Sequence, residues 1–233
     1  MRLRDDRESK GKAAGRNRTA AKPAGAKKRG AQARSKKSDN LTVFTVGHST
    51  RTFQEFLALL KAHGIKRLVD IRSIPRSRHT PQFNRETLAE RLRSAGLNYL
   101  HLKKLGGRRH AKKDSGNLGW HNASFRGFAD YMQTPEFEEG LQRLLVLAKQ
   151  KPTAIMCAEA VPWRCHRSLV GDALVARGIE VEDIFSATVV KPHKLTPFAR
   201  VRGTTVTYPA SALTGPRGLK RASAAGSRRF RRN

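Results

Sequence analysis

The sequence is poor in cysteine, in aromatic residues and in acidic residues. Two cysteines in 233 residues exclude a secreted scaffold held together by disulfides. No apolar run approaches the roughly 18–20 residues that cross a bilayer, and no apolar segment near Met1 is typical of a signal peptide. We therefore expect a cytoplasmic protein without membrane contact. Neither GxGxxG nor the P-loop pattern occurs, which disfavours a dinucleotide cofactor or ATP.

The scarcity of acids leaves a strongly basic chain, with 48 Lys and Arg against 18 Asp and Glu and a formal net charge of +30. Residues 1–40 hold 14 basic and four acidic residues, and the stretch from Phe198 to Asn233 holds nine basic residues and no acid. Such segments bury too little apolar surface to offset the entropy of ordering them. We predict two disordered basic tails, 1–40 and 196–233. They either attract polyanions such as nucleic acid without sequence specificity or merely solvate the domain.

Between the tails, short apolar runs alternate with segments of helical periodicity. The run LTVFTVG at 41–47 predicts a buried strand, and Thr52 with Glu55 fits a capping box at the start of the next helix. Further strands are predicted at 67–73, 97–102, 153–157 and 179–185. The alternation predicts one α/β domain over 41–195, with a mainly parallel sheet flanked by helices in a Rossmann-like, three-layer arrangement.

Polar side chains cluster where the predicted strands end. They are His48 and Ser49 after the first strand, Asp70 and Arg72 at the end of the second, and Cys157 and Glu159 at the end of the fourth. Because ligands bind at the carboxyl ends of parallel strands, these residues predict one shared site. Asp70 and Arg72 also fit a simple ion-pair role with their neighbours.

The segment after the fourth strand is the richest in reactive side chains. Cys157 closes the strand, and Cys165, His166 and Arg167 fall in the first turn of the following helix. A helix N-terminus and nearby arginines lower the pKa of a thiol, so Cys157 is a candidate nucleophile, with His166 or His48 as a proton carrier. A buried strand cysteine with no chemical role fits the same pattern.

The spacing of this segment weighs against two familiar kinds of site. Six residues separate Cys157 from Arg164, one more than a phosphatase loop has, and none of them is glycine. Cys157, Cys165 and His166 lack the usual CxxC or HxxxH spacing, so the zinc signal is weak and we predict neither metal nor cofactor. A reversible disulfide between the two cysteines is conceivable but unusual in the cytosol.

Two further features suggest an anionic ligand. Arg167 in a first helical turn opposes the helix dipole, which calls for either an anion or a partner such as Glu159 or Asp70. The loop KLGGRRH at 104–110 has paired glycines between cations, so it either closes over an anion or forms a flexible surface turn.

These motifs resemble those of one family, the DUF488 domain proteins. The matching motifs are TVGHSTR (Thr45–Arg51), DIRSIPRSR (Asp70–Arg78) with PQFN (Pro81–Asn84), YLHLKKLGGRR (Tyr99–Arg109), ASFRGFADYMQTPEF (Ala123–Phe137) and CAEAVPWRCHRSL (Cys157–Leu169). The resemblance covers about 41–195 and implies an α/β domain but no particular reaction. It also implies that one pocket is shared by Gly47, His48, Ser49, Asp70, Arg72, Tyr99, Gly106, Gly107, Phe125, Arg126, Tyr131, Cys157, Glu159, Cys165, His166 and Arg167.

The leading hypothesis is a cationic pocket that binds an anionic or phosphate-bearing small molecule. In its enzyme form, the candidate catalytic residues are Cys157, His166, His48 and Glu159, and Arg72 and Arg167 hold the anion. A nucleic-acid-binding accessory protein that uses the pocket and the tails is an alternative, and a structural or partner-binding domain is another.

Overall fold

Runs of buried apolar and β-branched residues form the strands at the centre of the domain. The computed structural model describes residues 41–210. The strands are β1 (Thr42–Gly47), β2 (Arg67–Asp70), β3 (Asn98–His101), β4 (Thr153–Cys157), β5 (Glu180–Ile184), β6 (Val190–Pro192), β7 (Arg200–Arg202) and β8 (Thr205–Thr207). The helices are α1 (Phe53–Ala62), α2 (Arg85–Ser94), α3 (Ala123–Tyr131), α4 (Pro135–Gln150) and α5 (Arg167–Val175).

The strands β1 to β6 form one sheet in the order β3-β2-β4-β1-β5-β6. The first five strands in that order are parallel, and β6 is antiparallel to β5 at the edge. The mainly parallel α/β architecture predicted from the sequence is therefore confirmed. Because β4 lies between β1 and β2, the loops that follow these three strands meet at the centre of one sheet edge.

Helix starts follow the local signals in the sequence. Thr52 and Glu55 form a reciprocal capping box, in which the Thr52 Oγ1 accepts from the Glu55 N–H at 3.2 Å and the Glu55 carboxylate accepts from the Thr52 N–H at 2.7 Å. Thr134 caps α4, and Pro135 occupies its first turn. These caps set the ends of the helices that cover the sheet.

Two apolar cores lie on opposite faces of the sheet. Val69 and Ile155 face the core under α3, α4 and α5, whereas Leu68, Ala154 and Met156 face the core under α1 and α2. Neighbouring residues of one strand point to opposite faces, so both faces are apolar and both must be covered by helices. This confirms the three-layer arrangement.

The ordered domain extends beyond the boundary predicted at 195. The antiparallel hairpin β7–β8 follows that boundary, Phe198 packs edge-on against Trp120, and Val206 and Tyr208 are buried. The prediction of a disordered tail is therefore wrong for 196–210. The segment is basic and poor in apolar residues on average, but three well-spaced apolar side chains suffice to dock it.

The predicted tail at 1–40 and the remainder of the second tail, 211–233, lie outside the described residues. Within the described part of the chain, 41–210, no helix combines the length and apolar character needed to cross a membrane. The cytoplasmic location stays a prediction.

Candidate functional site

The fourth strand delivers Cys157 to the centre of the site. All five residues of β4 are buried, and the chain then runs through an exposed loop and a 3₁₀ turn at Pro162–Arg164 before α5 begins at Arg167. His166 is the N-cap residue of α5, so Cys165 and His166 precede the helix rather than forming its first turn. The turn brings Cys165 and His166 back over the end of β4.

Cys157, Cys165 and His166 form a compact cluster. The Nδ1 atom of His166 lies 3.7 Å from the Sγ atom of each cysteine. Its Nε2 atom lies 3.1 Å from the Ile71 carbonyl oxygen. A carbonyl oxygen can only accept, so Nε2 donates, and in the neutral imidazole Nδ1 is left as an acceptor directed at the two thiols. The fold thus fixes the tautomer that can take a proton from sulfur.

The two thiols of this cluster differ in acidity. A hydrogen bond from Cys165, assisted by His166 and the Ala158 N–H, holds the pKa of the Cys157 thiol well below its usual value despite burial. Burial and the neighbouring Cys157 raise the pKa of Cys165 well above its usual value. Of the two thiols, Cys157 is therefore the one that loses its proton more readily, and Cys165 acts as its hydrogen-bond donor.

An open cavity of about 420 Å³ lies over this cluster, and we call it the arginine-rimmed cavity. The exposed residues Arg76, Arg108 and Arg164 line it, together with the carboxylate-bearing Glu159. It reaches Cys157, Cys165 and His166 at its floor, and Ser73, Ile74, Ser124 and Phe125 complete much of its wall. Three exposed guanidinium groups against one carboxylate make the cavity cationic, which suits an anionic ligand.

Asp70, the last residue of β2, and Arg72, two residues further on, belong to a buried network, and Arg72 also lines the cavity. Arg72 donates to the Asp70 carboxylate through Nε and Nη2, at 2.9 and 2.6 Å, and Nη2 also donates to the Phe83 carbonyl at 2.7 Å. Tyr99 donates its hydroxyl to Asp70 at 2.8 Å. Asp70 is fully buried and Arg72 is 6% exposed. The network braces the floor of the cavity, and the Arg72 guanidinium is largely occupied by protein partners.

His48 belongs to the same network and is held neutral. Its Nδ1 lies 2.8 Å from the Ser49 carbonyl oxygen, and its Nε2 lies 3.2 Å from Arg72 Nη1, so Nδ1 donates and Nε2 accepts. Its ring stacks on Phe83 at 4.2 Å. Burial lowers the pKa of His48. Because both nitrogens are engaged and His48 does not line the cavity, His166 is the better proton carrier.

The loop after β1 touches the loop after β4 through the backbone. The N–H groups of His48 and Ser49 donate to the carbonyls of Cys157 and Ala158, at 3.0 and 2.8 Å. Ser49 has a positive φ of 52°, so the chain turns in the left-handed region directly after this contact. A Cβ atom on Gly47 would lie 1.8 Å from the Glu159 carbonyl oxygen, so only glycine permits this approach.

Arg167 stabilises the loop and does not face the ligand. It is 1% exposed, and its guanidinium donates to the carbonyls of Glu159 and Ala160 at 2.5 and 2.8 Å. The sequence left the choice between an anion and a carboxylate partner, and the structure selects a third kind of partner, backbone carbonyl oxygens. Those carbonyls point towards Arg167. The loop therefore differs from a phosphatase loop in the orientation of its peptide groups as well as in the spacing of Cys157 and Arg164.

The paired glycines let the 103–110 loop pack closely on this cluster. A Cβ atom on Gly107 would lie 2.3 Å from His166 Nδ1, and one on Gly106 would lie 2.7 Å from Ser73 Oγ. Ser73 Oγ in turn accepts from the Arg108 N–H at 2.8 Å. The loop is thus pinned against His166, which presents Arg108 to the cavity.

Comparison with known proteins identifies the family. The model described as "Domain of unknown function DUF488" matches residues 52–174, which is more than half of the chain. The chain belongs to the DUF488 family. Comparisons with curated proteins and with solved structures find no match.

Several predicted site residues of the DUF488 domain lie away from the cavity lining, namely His48, Ser49, Asp70, Tyr99, Gly106, Arg126, Tyr131 and Arg167. Tyr131 donates its hydroxyl to the Lys104 carbonyl at 2.7 Å, and the Arg109 guanidinium lies 3.7 Å from the centre of its ring. Arg126 is half-buried on α3, one residue beyond the lining residue Phe125. Tyr131 therefore supports the glycine loop, and neither residue lines the cavity.

Sequence reasoning did not single out Arg76, and it considered Arg108 only among the cations of the 104–110 loop. Arg76 and Arg108 lie in loops without periodicity, so no pattern placed them beside Cys157. Arg164 was noted only for its spacing. A usable signal was present, because Arg76 belongs to the DIRSIPRSR motif and Arg108 to the YLHLKKLGGRR motif.

The cluster of two cysteines and one histidine could also hold a metal ion. One ligand atom from each of Cys157, Cys165 and His166 lies within 4.8 Å of the others. Sulfur and imidazole nitrogen are the ligands that zinc prefers, and the His166 Nε2 donation to a backbone carbonyl is typical of a metal-binding histidine. These residues supply three ligands, and the open cavity would leave a fourth position accessible. The absence of a metal stays a prediction.

Proposed function

We propose that this DUF488 domain is a thiol-dependent enzyme that binds a small anionic substrate in the arginine-rimmed cavity. One observation carries the proposal: Cys157, at the floor of a cationic cavity, is paired with a donor thiol and with an imidazole acceptor whose tautomer is set by Ile71. A thiolate is the nucleophilic form of cysteine, and this environment favours it.

The roles of the other residues follow from their positions. Arg76, Arg108 and Arg164 hold the anionic group of the substrate. Cys157 Sγ attacks an electrophilic atom of the substrate, a bond from sulfur to that atom forms, and the bond to the leaving group breaks. When Cys157 attacks as the thiolate, the leaving group departs with the bonding electron pair and no proton leaves sulfur. When the thiol is protonated, its proton passes to His166 Nδ1 and from there to the leaving group. Arg167, Asp70, Arg72 and His48 position the loops that carry these groups.

The test is the pH dependence of Cys157 alkylation in the folded protein, measured with iodoacetamide. We expect Cys157 to react with an apparent pKa below the ordinary value of about 8.5, and Cys165→Ala to raise that pKa because the donor thiol is lost. Cys157→Ser is the matched control and removes the fast phase. Inorganic phosphate should slow the reaction by occupying the cavity.

Two outcomes contradict the proposal. An inert Cys157, or one that reacts with an ordinary thiol pKa, removes the nucleophile. Stoichiometric zinc in the purified protein, measured by elemental analysis, assigns Cys157, Cys165 and His166 as metal ligands instead.

A second candidate is binding of nucleic acid by the cavity together with the basic tails. The net charge of +30 and the three exposed cavity arginines support it, since phosphate contacts by Lys and Arg dominate such binding. In this alternative the cavity grips a phosphate, and the tails add a salt-dependent attraction.

A further inference from the structure

A second concavity lies on the other side of the 3₁₀ turn at Pro162–Arg164. Its volume is about 650 Å³, and its walls are mostly apolar. The rings of Trp120, Trp163, Phe185 and Phe198 line it, and Lys191 and Lys194 stand among its lining residues. We call it the aromatic groove. Neither the sequence motifs nor the proposed chemistry at Cys157 accounts for it.

The aromatic groove contains an exposed aromatic platform. Trp163 is 63% exposed, although it is among the largest side chains of the domain. Its ring lies 6.2 Å from that of Phe185 with a tilt of 36°. Lys191 Nζ lies 5.6 Å from the centre of the Phe185 ring. An exposed tryptophan beside a second ring and a cation is suited to stack a flat, electron-rich ring of a ligand.

The groove and the arginine-rimmed cavity are separated only by the 3₁₀ turn. Trp163 lines the groove, whereas the next residue, Arg164, lines the cavity, and both side chains are exposed. Consecutive Cα atoms are about 3.8 Å apart. A ligand that lies across the turn can therefore place a ring on Trp163 and an anionic group beside Arg164.

We propose that the two concavities together bind a nucleotide unit, with the base in the aromatic groove and the phosphate in the arginine-rimmed cavity. The inference rests on the proposed function, because it names the substrate class of the same cavity. Apolar walls alone would equally fit an apolar peptide. The lysines at the groove, the arginines beside it and the net charge of +30 select a ligand that is both aromatic and anionic.

This arrangement supplies what the N-terminal basic tail lacks. Residues 1–40 contain no aromatic side chain among their 14 basic ones, so they offer charge without stacking. In the groove, aromatic and basic side chains line the same surface, which is the combination that holds unpaired bases. Either a free nucleotide or the unpaired end of a nucleic acid strand carries the required base and phosphate.

The test uses the full-length chain, and the signal of Trp163 is the part of the tryptophan fluorescence that Trp163→Leu removes. This signal is titrated with uridine 5′-monophosphate, with single-stranded oligo(U) and with inorganic phosphate. We expect quenching by one or both of the base-bearing ligands and none by phosphate. Quenching by the monophosphate identifies a free nucleotide as sufficient, and quenching by oligo(U) alone identifies a strand.

Variants separate stacking from general charge attraction, and their affinity is read by equilibrium dialysis of the labelled ligand. Trp163→Leu should weaken binding by about 5- to 150-fold, the range expected for loss of one stacked base, and Trp163→Phe should restore part of it. Lys191→Gln with Lys194→Gln should weaken binding more than Lys61→Gln with Lys149→Gln, a matched pair on α1 and α4 with the same charge change.

The proposal is overturned if Trp163→Leu leaves the affinity for both base-bearing ligands unchanged, or if the two lysine pairs have equal effects. It is also overturned if Trp163 fluorescence responds to neither ligand because a segment of the chain itself occupies the groove. Alkylation of Cys157 and its protection by inorganic phosphate do not depend on Trp163. If nucleotide binding fails while Cys157 still reacts and phosphate still protects it, only the nucleotide inference is lost. If Cys157 does not react, the thiol-dependent function is lost.

Discussion

At the scale of single residues, the candidate site depends on close contacts that are possible only because two of its residues are glycines. Gly47 and Gly107 stand where a Cβ atom would meet the Glu159 carbonyl or the His166 ring. The His166 tautomer depends on one contact to the Ile71 carbonyl. A side chain at Gly107 would meet the His166 ring and should alter the chemistry of Cys157, whereas one at Gly47 would also displace backbone.

We expect Gly107→Ala to displace the His166 ring, because the new Cβ would lie 2.3 Å from Nδ1. The alkylation rate of Cys157 near pH 6.5 should fall by up to about 100-fold, the size of effect that a misplacement of about 1 Å produces. Gly116→Ala is the matched control, since a Cβ there meets nothing within 4 Å. An unchanged rate in the folded Gly107→Ala variant would show that His166 does not activate Cys157.

At the scale of secondary-structure elements, a buried histidine connects α5 to the edge of the sheet. His193 lies between Asp172 on α5 and Asp183 on β5, with nitrogen-to-oxygen distances of 3.1 and 2.9 Å. The Tyr208 hydroxyl donates to the other oxygen of Asp172 at 2.8 Å. A Cβ atom on Gly171 would lie 2.8 Å from the His193 ring, so α5 can approach this closely only through glycine. The two carboxylates favour the charged imidazolium.

The contact of His193 with Asp172 and Asp183 predicts that the stability of the domain depends on pH. Although burial opposes the charge, the hydrogen bonds to Asp172 and Asp183 raise the pKa of His193 to about 9. His193 binds a proton more tightly in the folded protein than in the unfolded chain. Its contribution to the free energy of unfolding is therefore complete below the unfolded pKa of about 6.5. It is lost as the pH rises through 9. Urea unfolding should therefore show a loss of up to about 3 kcal/mol between pH 6 and pH 9.5.

His193→Gln should flatten this pH profile, because glutamine can hydrogen bond but carries no charge. His110→Gln, on the exposed part of the 103–121 loop, is the matched control and should keep the slope of the wild-type protein. A wild-type profile that is flat over this interval would mean that His193 is neutral in the folded protein.

At the scale of the whole molecule, the domain includes a segment that composition assigns to a tail. Tyr208 is fully buried, its N–H donates to the Asn117 side chain at 2.9 Å, and its carbonyl accepts from the Gly119 N–H at 2.9 Å. The segment 196–210 therefore holds both the 103–121 loop and the aromatic groove, because Phe198 lines that groove.

We expect a chain that ends at residue 195 to be less stable by at least about 3–5 kcal/mol, the usual cost of removing one buried large aromatic side chain. A chain that ends at residue 210 is the control and should retain the stability of the full-length protein. Urea unfolding of the three chains measures the difference. Equal stability of the chain ending at 195 would contradict the role assigned to Tyr208.

Much of the fold and part of the site could be predicted from the sequence. Alternation of apolar runs with capped helical segments predicts a parallel sheet, and parallel strands bring His48, Asp70 and Cys157 to one edge. The partners of Arg167 and His48 could not be predicted, because backbone carbonyl oxygens are present at every residue and leave no mark in the sequence. The position of Arg76, Arg108 and Arg164 around one cavity could not be predicted for a related reason, since loops have no periodicity that would place them together.

The sequence by itself determined the α/β class, the capped helix starts, the basic character and the cluster of Cys157, Cys165 and His166. These depend on periodicity, on charge and on residues close along the chain. Tertiary structure alone decided which ring nitrogen of His166 lies near the thiols and that Arg167 binds the loop. It also decided that Tyr208 joins the core and that Trp163 and Arg164 line two adjoining concavities. The His166 and Tyr208 contacts join residues distant in the chain, and the contacts of Arg167 depend on the folded path of a loop that has no periodic signal.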